Sequence, residues 1–335
     1  MPAVFACAFV VLSEMGYYYL ILLLLLAANY LNAVWGEFSN EEIMEELRTF
    51  YGSRAAVWIK RLSAIVLCAM IAWAITFVDR TNPATGQLLF FSFCTGCLTG
   101  CFVVTLAHDL LHSHKSTDIF ISGMLLTAAG IPHLAADHVL GHHRDVGLSK
   151  DPNTSKINQD FYSYFIRLTY SRLKESFLTQ HRLPRYLSRK VLFLNLRMLL
   201  ILVCVWVAMI VFCRHPQKAL VFFFVQSFVS YLLYELINYI QHYGLFRRSE
   251  HDSITQSLSW NCYYKYTNYI LHLLPLHSIH HLPHRKSKVD ISRLKEGPRM
   301  PYLYFVMVAM ALIPPLWFRK MNKLALQYND ETGNE

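Results

Sequence analysis

Uncharged apolar runs recur along the chain at the length a bilayer crossing requires. A helix in hydrocarbon must bond every backbone amide within itself, so ~20 consecutive apolar residues are needed to span. Residues 15–36, 62–78 and 87–107 form a first group of such runs, and residues 191–213 and 219–240 a second. Arg197 and Glu235 interrupt the second pair, which is turned at Arg214, His215 and Pro216. The pattern predicts an all-α fold, a polytopic membrane helical bundle of about five to six spans. Glu235, costly in lipid, is expected to face the bundle interior or the site.

Three further stretches complicate the count. Residues 2–13 are apolar but, at ~1.5 Å per residue, too short to cross ~30 Å, and they lack the basic start of a signal peptide. Residues 119–136 are apolar enough to cross, yet His108 and His112 precede them and His138, His142 and His143 follow. If these histidines share a site, the stretch is re-entrant, interfacial or buried among other helices, with Gly130 and Pro132 allowing a break. Residues 300–318 contain Pro301, Pro314 and Pro315, which leaves their depth open. Residues 1–320 are expected to form one membrane-embedded domain, followed by a polar tail, 321–335, frayed from Asn322.

Composition agrees with the pattern: 54% hydrophobic and 16% charged residues do not suit a water-soluble protein of 335 residues. The net charge of +9 invites a nucleic-acid reading, but the cations lie between apolar runs. Residues 144–190 hold ten Lys or Arg against four acids, and residues 247–299 nine against four. Such loops are retained on the cytoplasmic side, so topology explains the basicity and no nucleic-acid partner is implied. The eight Cys, several inside apolar runs, show neither zinc spacing nor a secreted framework and are expected to be reduced packing residues.

The unusual excess is in histidine, 16 residues, the commonest metal ligand. Four clusters stand at the cytoplasmic ends of apolar segments. His108 and His112 close the third run, stacked on one helix face by their four-residue interval. His138 and His142 repeat that interval, with His143 placed to reach a second ion. His242 follows the fifth run alone, and His277, His280 and His281 give intervals of three and four. Nine imidazoles exceed what one zinc accepts and suit two six-coordinate ions with positions left for oxygen, for which iron is the natural candidate. His114, His133, His272 and His284 lie nearby as potential outer donors, whereas His181, His215 and His251 read as solvated loop residues.

Beyond the histidines, the chain carries Gly141-His-His-Arg-Asp-Val146 with Asp151-Pro152, Asn238-Tyr-Ile-Gln-His242-Tyr-Gly244, Ser259-Trp-Asn261 and Ala311-Leu-Ile-Pro-Pro-Leu-Trp-Phe318. In these motifs it resembles the integral-membrane, non-haem diiron alkane 1-monooxygenases, within the wider fatty acid desaturase and hydroxylase class. The Asn-Tyr-x-x-His-Tyr-Gly element is similar to the alkane hydroxylase pattern, whereas the other histidine boxes are shared with desaturases. The family shows Glu where this chain has Asp109, Asp137 and Gln241, an acid where it has Ile279, and Gln-Arg where it has Pro275-Leu276. Its first span is represented here only by residues 2–13. Asp109, Asp137, Gln241 and Glu235 are the candidate outer partners of the metal-binding rings.

The resemblance implies two iron ions, O2 as co-substrate and hydroxylation of the terminal carbon of an n-alkane or similar chain. Two electrons are expected from an external rubredoxin-like or cytochrome donor, because no dinucleotide fingerprint or iron–sulfur spacing is present. Arg182, Arg185, Arg189 and Lys190 are candidates for steering such a donor, although positive-inside topology alone accounts for them. Residues 22–26 and Phe90, Phe91 and Phe93 are candidate tunnel-lining positions. Two alternatives stay open: a desaturase or hydroxylase of fatty acyl chains or lipids, and a membrane metal-binding or non-catalytic protein. The location implied is a multi-pass membrane protein with its metals on the cytoplasmic side, in a bacterial inner membrane or the endoplasmic reticulum.

Overall fold

In a computed structural model, residues 1–51, 53–178, 185–281 and 297–332 are described; these form helices joined by turns, with two isolated β-bridges and no longer strand. Four helices are long and apolar enough to cross a membrane: Arg54–Thr81, Thr85–Leu111, Phe193–Phe212 and Pro216–His242. The third continues a longer helix that begins at Arg185. Local chemistry sets their ends. Ser53 accepts a hydrogen bond from the amide of Ala56 and starts the first span, and Asn82, with φ of 46°, ends it in the left-handed conformation.

The four spans form two antiparallel hairpins whose turns meet at one end. Lys218 donates to the Pro83 carbonyl at 2.8 Å, and the His215 amide donates to Asp79 at 2.7 Å. His108, His112 and His242 therefore stand together at the opposite end. The second and fourth spans pack closely where Gly96 and Gly100, four residues apart, face the fourth. A Cβ at Gly96 would lie 2.6 Å from Val229 Cβ, and one at Gly100 3.1 Å from Leu233 Cβ. Small residues at this spacing let helix backbones approach in lipid, where no hydrophobic force holds helices together.

Two expected crossings take other forms. Residues 15–36 are not one span: Leu20–Ala28 and Leu31–Trp35 are short helices broken at Asn29 and Tyr30, and Gly36 ends the second with φ of 67°. The polar reason is visible at Asn32, which is fully buried and accepts both the amide and the hydroxyl of Thr267 at 3.0 Å. A straight lipid-facing helix would leave that side-chain oxygen without a donor. The run at 119–136 becomes a 13-residue helix, Ser116–Ala128, too short to cross, followed by a turn at Gly130. The segment of open depth is broken at its prolines, with Tyr304–Ala311 and Pro314–Asp330 bent by 119°. It adds a fifth crossing only if the bent pair is counted as one.

The polar tail expected from Asn322 is instead part of a continuous helix, Pro314–Thr332. Its apolar face is pinned by Trp317, fully buried against the rings of Tyr239 and Tyr243 at 5.3 Å each. Asn322 accepts from the Tyr243 hydroxyl at 2.5 Å, and Asn329 donates to the Gly244 carbonyl at 2.8 Å. This helix therefore braces the turn that follows His242. Of the candidate tunnel residues, Leu23, Leu24, Leu26, Phe90 and Phe93 are on the outer surface, and Phe91 is buried among Phe9, Phe77 and Phe222. They face lipid or fill an aromatic core. His181, Arg182 and His284 lie outside the described residues.

Gly244 has φ of +68°, and a Cβ there would meet Ala325 Cβ at 2.8 Å and Ile157 Cγ1 at 3.0 Å. Gly244→Ala is therefore expected to cost about 1–3 kcal/mol through backbone strain and displacement of the C-terminal helix. Thermal unfolding in detergent checks it; an unchanged midpoint contradicts the brace.

Candidate metal centre

Nine histidines from four separated stretches meet at one end of the bundle. The rings of His108, His112, His138, His143 and His280 form one group, with neighbouring centroids 4.1–4.7 Å apart. His142, His242, His277 and His281 form a second, with centroids 4.6–5.0 Å apart. Ligand nitrogens of His108, His112, His138 and His280 all lie within 4.8 Å of one another, as do those of His142, His242, His277 and His281. The two groups adjoin at His143 and His281, whose centroids are 4.6 Å apart. The second group is wholly buried, whereas His112, His143 and His280 of the first are half-buried.

The partition differs from the one the intervals suggest. His138 and His142 fall in different groups, and His138 shares its group with His143. The cause is a π-helical turn over Asp137–His142. Its wider winding aligns residues five apart, so His138 and His143 point the same way while His142 turns to the second group. A second π segment, Thr99–Val104, interrupts the second span just before His108. In the His277–His281 helix, His277 and His281 share the second group at an ordinary four-residue interval and His280 turns to the first.

The nitrogens themselves test whether a cation fits. Nε2 atoms of His138, His143 and His280 touch one another at 3.1, 2.7 and 3.1 Å. One imidazole nitrogen presents either an N–H or a lone pair, so a closed triangle always leaves one like-to-like contact. A cation between three lone pairs removes the conflict. Two nitrogens ~2.1 Å from a shared metal at a right angle stand about 3.0 Å apart, which matches these separations. Likewise Nε2 of His108 and of His142 is buried with no hydrogen-bond partner among the described residues. Burial, reinforced by neighbouring imidazoles, holds His138, His277, His280 and His281 well below the ordinary histidine range. They are neutral at physiological pH, the state a metal ligand requires.

Outer partners fix which nitrogen faces inward. His142 Nδ1 lies 2.9 Å from Asp151, leaving Nε2 for the group centre, and His242 Nδ1 donates to the Leu258 carbonyl at 3.1 Å. Asp151 is fully buried. Burial pushes its carboxyl up, but the His142 ring beside it and the Asn153 amide outweigh this and bring it down to about 2. The Tyr234 hydroxyl stands 3.5 Å from His138 Nδ1.

The four expected outer partners occupy different positions. Asp109 pairs with Lys60 of the first span at 2.8 Å, and Asp137 with Arg172 at 2.8 Å. Glu235, buried as expected, is ion-paired with the same Arg172 and accepts from Asn238 at 3.0 Å. Gln241 donates to the Tyr304 hydroxyl and the Leu274 carbonyl, and its oxygen has no partner among the described residues. None of the four carries a histidine ring; Asp151 does. Its place in the Asp151-Pro152 motif was the available signal, whereas nothing in the sequence marked Arg172. His114, His133 and His272 join neither group.

Removing the Asp151 charge while keeping its shape tests the outer layer. Asp151→Asn is expected to weaken metal retention about 10–100-fold in chelator competition. Unchanged retention contradicts a role for this carboxylate.

The sequence model of the fatty acid desaturase family matches residues 83–297. Alkane 1-monooxygenase 2 of Alcanivorax borkumensis is 30% identical over 68% of this chain and 61% of its own length. Alkane 1-monooxygenase 1 of Pseudomonas aeruginosa is 31% identical over 70% of this chain and 62% of its own. The xylene/toluene monooxygenase hydroxylase component of Pseudomonas putida is 26% identical over 70% of this chain and 63% of its own. The chain spans a little under two thirds of the length of these relatives. Helical crossings, converging histidine boxes and the family match, which runs from before His108 to beyond His281, agree: the chain belongs to the fatty acid desaturase family.

Proposed function

We propose that this chain is an O2-dependent diiron monooxygenase that hydroxylates the terminal carbon of n-alkanes or similar aliphatic chains. The observation that carries the reading is the pair of adjoining histidine groups at the membrane-boundary end of an apolar bundle. Relatives named alkane 1-monooxygenase supply the reaction class. Iron suits the donor set, since five and four imidazoles exceed a tetrahedral shell and leave room for oxygen ligands. When bound, the irons supply reductive activation of O2. In the overall balance an alkane, O2, two electrons and two protons give an alcohol and water.

This chain's own residues do the rest. His108, His112, His138, His143 and His280 would hold one ion, and His142, His242, His277 and His281 the other. Asp151 and the Leu258 carbonyl orient His142 and His242, so their inward nitrogens keep lone pairs. Complete burial of the second group excludes water. Apolar substrate reaches such a site from the bilayer, and the protein's part is to align a C–H bond with it. A rubredoxin-like or cytochrome donor would supply the two electrons. A cytoplasmic position for the histidine end is supported by the basic excess in residues 144–190 and 247–299 under the positive-inside rule.

The test is product analysis. The purified chain in lipid nanodiscs, given a reduced rubredoxin system, n-octane and 18O2, is expected to form 1-octanol carrying one labelled oxygen. Double-bond formation in acyl substrates without oxygen insertion would replace this reading with a desaturase. An iron-loaded chain that gives no oxygen-dependent product from either substrate contradicts an oxygenase altogether.

A further inference from the structure

Arg172 is the most deeply buried guanidinium in the described structure, 2% exposed, and it comes from a helix, Phe161–Leu178, that contributes no histidine. A guanidinium remains charged at any physiological pH, so burying it requires opposite charge and acceptors around its fork. Nη1 pairs with Glu235 and Nη2 donates to Asn153 Oδ1 at 2.6 Å, while Nε lies 2.8 Å from Asp137 as an ion pair without hydrogen-bond geometry. Tyr234 lies beside the fork, its ring centroid 5.7 Å from the guanidinium carbon.

Each of these contacts leads to a histidine. Asn153 donates its backbone amide and its Nδ2 to Asp151 Oδ1 at 3.0 and 3.2 Å, and Asp151 Oδ2 meets His142 Nδ1 at 2.9 Å. The bond from Arg172 fixes the Asn153 amide with its oxygen toward the guanidinium and its NH2 toward Asp151. That path ends in the second group. Asp137 immediately precedes His138 at the start of the π turn, and Glu235 immediately follows Tyr234, whose hydroxyl stands at His138 Nδ1. Those paths end in the first group.

We infer that Arg172 is a positioning residue that sets ring orientation in both histidine groups at once. It reaches the first through Asp137 and Tyr234 and the second through Asn153 and Asp151. A planar fork that meets three partners at once does this, and a lysine ammonium carries the charge without the geometry. The inference rests on the metal reading proposed above.

The experiment compares the full-length wild type, Arg172→Lys and Asn153→Ala, purified from cells grown on 57Fe. Iron retention against a chelator and the Mössbauer spectrum are recorded for each. Arg172→Lys is expected to change the quadrupole splitting of both iron populations and to lower retention about 10-fold or more. Asn153→Ala keeps both ion pairs and the backbone amide bond to Asp151 and removes only the side-chain link between Arg172 and Asp151, so only the spectral component of the second group is expected to change. Where Arg172→Lys fails to fold, Asn153→Ala decides. A wild-type spectrum in either folded variant overturns the role of Arg172, and so does an equal change at both irons in Asn153→Ala. A wild type that binds no iron overturns the metal reading and this inference with it.

Discussion

Lone pairs cannot satisfy one another, and this constraint organises the structure. Nine imidazoles are packed with ring nitrogens converging on two centres, at contacts as short as 2.7 Å, in surroundings that keep several of them neutral. Without a cation such convergence is costly, because buried nitrogens face like partners or none. With one at each centre the same geometry is a ligand shell. At His142 and His242 the outer layer follows from that demand: with Nε2 turned inward, Nδ1 meets Asp151 in one and the Leu258 carbonyl in the other.

The membrane bundle brings the rings to one level. Two hairpins with their turns tied at the far end place the carboxyl ends of the second and fourth spans side by side, and Gly96 and Gly100 let those spans close together. Irregular backbone is concentrated around the centre: a π segment before His108, a π turn through His138 and His142, and a short helix at His277–His281. In hydrocarbon such backbone is tolerated only where protein surrounds it. The broken segments near Asn32 and Pro314 serve the same end. One anchors the stretch around Thr267, and the other folds a C-terminal helix back onto the turn after His242.

Much of this was legible in the sequence because two strong signals overlap there. Apolar length identified the four regular spans, and histidine spacing beside them identified every ring that converges among the described residues. What was not legible depends on three-dimensional partners. Residues 15–36 have the composition of a span, but their partner at Thr267, met by the buried Asn32, lies far away in sequence. The polar sequence after Asn322 hides a buried face, since Asn322 and Asn329 are satisfied by Tyr243 and Gly244. Intervals of four suggested that His138 and His142 act together, but spacing cannot reveal a π turn. Asp109, Asp137 and Gln241 drew notice as positions where the resembled family carries Glu, whereas Asp151 reaches a ring through a loop.

The account stands on two metal ions held by histidines from both halves of the chain. Elemental analysis of the wild type purified from membranes, beside His138→Ala and His280→Ala, measures this most directly. About two irons per chain are expected in the wild type, with clearly less in both variants. An iron-free wild type after anaerobic loading, or variants that retain the full complement, would contradict it.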